Sequence, residues 1–145
     1  MKYDDASWHS GGEFPEDLPQ SAGATHIAMF AAWAALHGLI GSLHRTDLAE
    51  ELKRLEQRRA TPAIWFRTAC DGKLTNEDLN DEGNAFARDY YMNIVDGEQI
   101  FGPYYSDYET EFSEAKSLYH VEDSWKTYER LDSVLSARFA EWKKF

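Results

Sequence analysis

The chain is 145 residues long, with 26 Asp and Glu against 15 Lys and Arg, a net charge of −11, and 43% hydrophobic residues. That length suits one domain spanning 1–145 with a core of its own, and the acidity excludes nucleic acid and anionic membrane as natural partners because the field repels both. One cysteine, Cys70, excludes an internal disulfide and any multi-cysteine metal centre.

Residues 1–24 mix Gly11, Gly12, Pro15, Pro19 and Gly23 with polar residues, a composition that predicts an ordered loop rather than helix or strand. Tyr3, Trp8, Phe14 and Leu18 are the side chains expected to hold this loop on the body. The stretch Thr25 to Gly41 is the least polar run and reads as a buried central helix, with Thr25 as N-cap and Gly41 just past its end. A second, surface helix is expected from Thr46 or Asp47, where Asp47 and Glu50 have capping-box spacing and Leu48, Leu52 and Leu55 form a narrow apolar stripe. Thr61-Pro62 is a restart signal, a capping hydroxyl followed by proline at the first helical position. The short helix it opens should stop at Asp71-Gly72 and bury Cys70.

Thr75 and Asp78 have capping-box spacing, with Leu74 placed to staple onto Leu79, so a helix is expected there. Phe86, Tyr90 and Ile94 continue its apolar face, and Gly83 marks a weak point or a close contact. Asp96-Gly97 and Gly102-Pro103 punctuate the chain. Tyr104, Tyr108 and Phe112 then recur at helical spacing, and a last helix is predicted from Asp123 through Trp125, Tyr128, Leu131, Leu135, Phe139 and Trp142. Strands are expected only as short pieces, such as Ser117 to Val121. The expected fold is mainly α: a compact helical domain of about five or six helices with an ordered N-terminal loop.

Charge is concentrated. Residues 71–123 hold fourteen acids and three bases, whereas 21–70 and 124–145 are each slightly basic. Such a segment attracts basic proteins, and its candidate partner-binding residues are Glu77, Asp78, Asp81, Glu82, Asp107, Glu109 and Glu111, interleaved with Tyr104, Tyr105 and Tyr108. Asp4, Asp5, Trp8, His9 and His26 form a second candidate, a ligand or metal site, because the N-terminal loop leads back to the start of the central helix. No histidine pair has metal-ligand spacing, so neither metal nor cofactor is expected from pattern alone. Asp71 to Glu82 has the length of a calcium loop, but Lys73 and Asn76 stand where a ligand and the turn glycine belong. No nucleophile elbow or phosphate-binding glycine loop occurs, and no catalytic residue is assigned.

The segments YDDASWH, GGEFPEDLP, AGATHIAMFAAWAALHGLIG, CDGKLTNEDLNDEGNAFARDYY, SLYHVEDSW and LSARFAEWKKF resemble a bacterial family of small acidic proteins of unknown function. The resemblance spans nearly the whole chain. It implies the setting of polymorphic toxin systems, in which small acidic proteins act as immunity proteins against a cognate basic toxin. The expected function is therefore a cytoplasmic, non-enzymatic immunity protein that binds its toxin through an acidic, aromatic-rich surface. The alternative is a small-molecule or metal-binding protein, or an enzyme, using Asp4, Asp5, His9 and His26. The N-terminus lacks the apolar run of a secretory signal, and no stretch is long enough to span a membrane. The sequence specifies no oligomeric state.

Overall fold

The computed structural model describes residues 1–145. Eight α-helices and two small antiparallel sheets follow one another as β1 (Lys2–Asp5), α1 (Ala6–Ser10), α2 (Thr25–Leu36), α3 (Ser42–Arg45), α4 (Ala49–Glu56), α5 (Pro62–Cys70), β2 (Lys73–Thr75), α6 (Asp81–Tyr90), β3 (Met92–Val95), β4 (Glu98–Phe101), α7 (Pro103–Glu111) and α8 (Trp125–Trp142). Short 3₁₀ turns stand at Gln20–Ala24, Asn76–Asp78 and Leu118–His120. No helix is long and apolar enough to cross a membrane.

This corrects the expectation of a compact helical domain of five or six helices behind an N-terminal loop. The architecture remains mainly helical, but it is mixed, and the N-terminal segment is built rather than looped. β1 pairs antiparallel with β2, setting Asp4 against Leu74 and Asp5 against Lys73. Asp5 then caps α1, its Oδ1 accepting from the Ser7 N–H at 2.8 Å. Pairing with a strand some seventy residues away leaves no local trace in the composition of residues 1–24.

α2 is the centre. Thr25 through Ala35 are all buried, and the helix packs against α5 on one side and α8 on another. It stops at Leu36, short of Gly41, because Gly38 adopts a positive φ of 75° and turns the chain. A contiguous core of 33 buried residues surrounds it, including Trp33, Trp65, Phe30 and Phe86. Trp33 donates its indole N–H to Ser136 Oγ at 3.1 Å, tying α2 to α8.

Local signals elsewhere act with different reach. Thr61 caps α5, with Pro62 at the first helical position, and Asp71 ends it in the left-handed region at φ 54°. The Thr75–Asp78 capping box forms, yet it opens only a single 3₁₀ turn, and Asn80 caps α6 in its place. The second helix begins at Ala49 without a side-chain cap rather than at Thr46 or Asp47. Ser117 to Val121 forms no strand.

Ile94 does not extend the helix of Phe86 and Tyr90. It lies in β3, which pairs with β4 from Met92 opposite Phe101 to Val95 opposite Glu98. Asp96 and Gly97, with φ of 52° and 79°, make the two-residue turn. At the base, Gly102 lies so close to the Tyr90 carbonyl that a Cβ there would sit 2.5 Å from its oxygen. That approach fixes where the hairpin leaves the body.

Candidate functional site

Two features stand apart from ordinary core and surface, and they adjoin. The first is the β3–β4 hairpin. Register places Ile94 and Phe101 on one of its faces and Val95 and Ile100 on the other. All four are exposed, Ile94 at 66%, and Trp8 of α1 is 48% exposed beside them. Trp8, Gln99, Ile100 and Phe101 line a shallow cleft between hairpin and α1. A hairpin of this length is marginal alone and usually hides one apolar face, whereas this one shows apolar side chains on both. Asp96 and Glu98 sit at its turn, and residues 89–115 contain seven acids with no Lys or Arg.

The second feature is a polar cluster beneath the hairpin. Asp4 of β1 is wholly buried, as are His26 at the start of α2 and, nearly so, His9 on α1. Asp4 Oδ2 accepts from the hydroxyls of Tyr91 and Tyr105, each at 2.5 Å, and Oδ1 accepts from the Asp5 N–H at 2.8 Å. His9 Nε2 lies 2.9 Å from Asp4 Oδ1, and its Nδ1 lies 2.7 Å from the Tyr119 hydroxyl. His26 Nε2 is 2.9 Å from Tyr105 Oη and 3.3 Å from His9 Nε2. Phe101 of the hairpin stacks over the cluster, its ring 5.8 Å from that of His9.

Burial decides the electrostatics. It pushes His26 down to about 3, against the pull of the Asp4 carboxylate, so the ring is neutral. Burial works to raise Asp4, but the His9 hydrogen bond and the facing imidazoles outweigh it and hold the carboxyl below its ordinary value. Burial and the Asp4 charge raise Tyr91 and Tyr105 strongly, so both stay protonated donors.

The structure thus brings Asp4, His9 and His26 together, while Asp5 turns away to cap α1 and pair with Lys2 at 2.7 Å. Trp8 faces outward on the same helix. The acidic and aromatic candidates separate. Tyr104 and Tyr108 are core residues, Tyr104 donating to the His26 carbonyl at 2.5 Å, and Tyr105 belongs to the cluster. Asp78 is buried and accepts from Thr75. Asp107 is gripped by Arg138 and Tyr90, and Glu111 pairs with Arg130 at 3.1 Å. Glu77, Asp81, Glu82 and Glu109 remain on the surface. Tyr91, Tyr119 and the hairpin residues Ile94, Ile100 and Phe101 are missing from the candidates drawn from sequence. Asp96-Gly97 between two short runs that alternate in hydropathy is the signal that marks the hairpin.

A further buried group joins His44 Nε2 to Asp78 Oδ1 at 2.8 Å, with Cys70 Sγ 3.8 Å from the same nitrogen. Burial and the Asp78 charge push the thiol up, so Cys70 is held as the unreactive thiol. Both neighbours meet one ring nitrogen, which is not the arrangement of a nucleophile relay.

No curated protein and no solved structure matches the chain. Residues 2–121, covering β1 through the turn after α7 and so the hairpin and the whole polar cluster, match a domain of unknown function, DUF7832, and the chain belongs to that family.

Proposed function

We propose that this protein is a binding protein for a cationic partner protein, docking through the β3–β4 hairpin and Trp8, and that the partner is the basic toxin it neutralises. The observation that carries the reading is the hairpin itself: four exposed apolar side chains on a two-sided strand pair, with Trp8 of α1 exposed beside them, in a sequence stretch, 89–115, that holds seven acids and no Lys or Arg, Lys2 over the Trp8 ring being the one cation at its edge. Large aromatic and aliphatic groups supply the anchoring contacts, and the acidic rim steers a basic partner to them. The free outer edges of β3 and β4 also offer unpaired backbone groups to an extended segment of the partner. The immunity role comes from the family resemblance, and the surface is what fits it physically.

The test is binding to the product of the adjacent gene, by surface plasmon resonance, together with protection of cells that express it. Ile94→Asp with Ile100→Asp should weaken binding by about 100-fold or more, a loss typical of anchor residues, without lowering the melting temperature. Added salt should slow association of the wild-type chain. Full affinity in the double variant would overturn the hairpin as the docking surface, and absence of any binding would overturn the immunity reading.

A further inference from the structure

The polar cluster poses a proton-counting problem. Asp4 Oδ, His9 Nε2, His26 Nε2 and Tyr105 Oη all approach one another: 2.9 Å from His9 to Asp4 Oδ1, 3.8 Å from His26 to Asp4 Oδ2, 3.3 Å between the histidines, and 2.5, 2.9 and 3.2 Å from Tyr105 to Asp4 Oδ2, His26 and His9. One hydroxyl proton and one proton on each ring can serve three of these six edges. Placed on the three shortest edges, they leave the Tyr105–His9 and His9–His26 contacts, at 3.2 and 3.3 Å, without a hydrogen of their own, and the 3.8 Å His26–Asp4 pair beyond hydrogen-bond reach.

The carboxylate adds a second problem. Asp4 is entirely buried, and its ion-pair partners are the two histidines alone. Lys2, the nearest cation in sequence, is committed to Asp5. Hydrogen bonds from Tyr91, Tyr105, His9 and the Asp5 N–H satisfy the carboxylate, but no Lys or Arg pairs with it.

A cation at the centre resolves both. Four ligand atoms around zinc, with bonds of about 2.0–2.1 Å, stand about 3.3–3.4 Å apart in a tetrahedron; the two imidazole nitrogens, 3.3 Å apart, match this, Tyr105 Oη lies 2.9 and 3.2 Å from them, and the Asp4 carboxyl, through one oxygen or the other, lies 2.5 to 3.8 Å from the three. The donor types, two imidazoles and a carboxylate, suit zinc and its first-row neighbours. His9 has the supporting partner that metal-bound histidines use: with its proton on Nδ1 it donates to Tyr119 Oη, which leaves Nε2 bare toward the centre. Tyr91 holds Asp4 Oδ2 from outside. Asp4, His9, His26 and Tyr105 come from β1, α1, α2 and α7, so an ion among them ties the N-terminal segment to the helical body.

We propose that Asp4, His9 and His26, with the Tyr105 hydroxyl as fourth donor, form a structural site for a divalent first-row transition metal ion such as zinc, which the donor types suit. The site is closed by protein donors and by Phe101, the character of a structural rather than a catalytic centre. It does not depend on the docking role of the hairpin.

The test uses the full chain, stripped with a chelator and titrated with Zn²⁺ by calorimetry and with Co²⁺ by visible absorption. The expected result is one equivalent bound, a melting temperature that rises with zinc, and the intense cobalt bands of a four-coordinate site lacking thiolate charge transfer. Tyr119→Phe should weaken affinity about 10–100-fold as an outer partner, and His9→Gln should weaken it further. Cys70→Ala and the surface change His37→Gln should leave stoichiometry and affinity unchanged. If His9→Gln fails to fold, Tyr119→Phe alone carries the assignment. No stoichiometric binding by the wild-type chain, binding unaffected by His9→Gln or Tyr119→Phe, or binding lost in Cys70→Ala would overturn it.

Discussion

Phe101 lies face to face on Tyr105, ring centroids 4.1 Å apart and planes 17° from parallel. The same phenylalanine is 42% exposed. It therefore joins the outer apolar surface of the hairpin to a tyrosine whose hydroxyl holds the buried Asp4. Replacing Phe101 with Ala should cost about 1–2 kcal/mol, from half-buried area plus the ring pair. A fall in the urea midpoint of that size checks it, and an unchanged midpoint would show that the hairpin is not seated on the cluster.

The core prediction concerns α2. Phe30→Ala and Trp33→Ala should each cost about 3–5 kcal/mol, the usual range for large buried aromatics. Trp33 also loses its bond to Ser136, so α8 should loosen with it. Urea unfolding monitored by circular dichroism reads both effects.

Gly83 offers a contest of signs. Helix propensity alone would make Gly83→Ala stabilising by about 1 kcal/mol. The added Cβ would lie 2.6 Å from the Leu39 carbonyl oxygen and 3.2 Å from the Leu39 and Leu79 side chains. Overpacking of this kind costs about 1–3 kcal/mol, so the variant should be less stable than wild type, and a higher melting temperature would refute the contact.

Acid sensitivity should centre partly on Asp107. Burial favours raising its carboxyl, but hydrogen bonds from Arg138 at 2.8 and 2.9 Å and from Tyr90 at 2.6 Å outweigh this and hold it below its ordinary value. Its folded value lies below its unfolded one, so its contribution is whole above about pH 3.9 and is lost as pH falls through the folded value. Asp107→Asn should flatten the stability profile in that range and cost about 1–3 kcal/mol near neutrality, as expected for bonds to a charged group. Unfolding midpoints from pH 2 to 7 for both proteins test the sign.

Cys70 should react slowly with thiol reagents in the native state, because the thiol is buried and held protonated. Labelling at the rate of a free thiol would contradict this, and labelling should accelerate once urea unfolds the chain.

Much of the helical body is legible in the residues because its signals are local. Thr61-Pro62, Asp71-Gly72 and the buried run from Thr25 each act within a turn or two. The hairpin escapes such a reading for a definite reason: Phe86, Tyr90 and Ile94 keep helical spacing, and that period competes with the Asp96-Gly97 turn that begins two residues after Ile94. The β1–β2 pair escapes because its partners are far apart in sequence. Convergence of Asp4, His9 and His26 is partly legible, since the chain must return to the start of the central helix. Tyr91, Tyr105 and Tyr119 arrive only through the packing of α6, α7 and the last 3₁₀ turn. Tyr104 and Tyr105 show the limit most directly, as neighbours in sequence that go respectively to the core and to the cluster.

Gln99 alone makes side-chain hydrogen bonds from residues 93–100 to the body, to the Lys2 and Tyr3 carbonyls. Ile94, Val95 and Ile100 are thus free of the constraints that bind the interior. Substitutions there change what the hairpin presents without disturbing the ladder or the helices beneath. The exposed side chains at Ile94, Val95 and Ile100 can therefore be exchanged while the fold below stays as it is, whereas Phe101, seated on Tyr105, cannot.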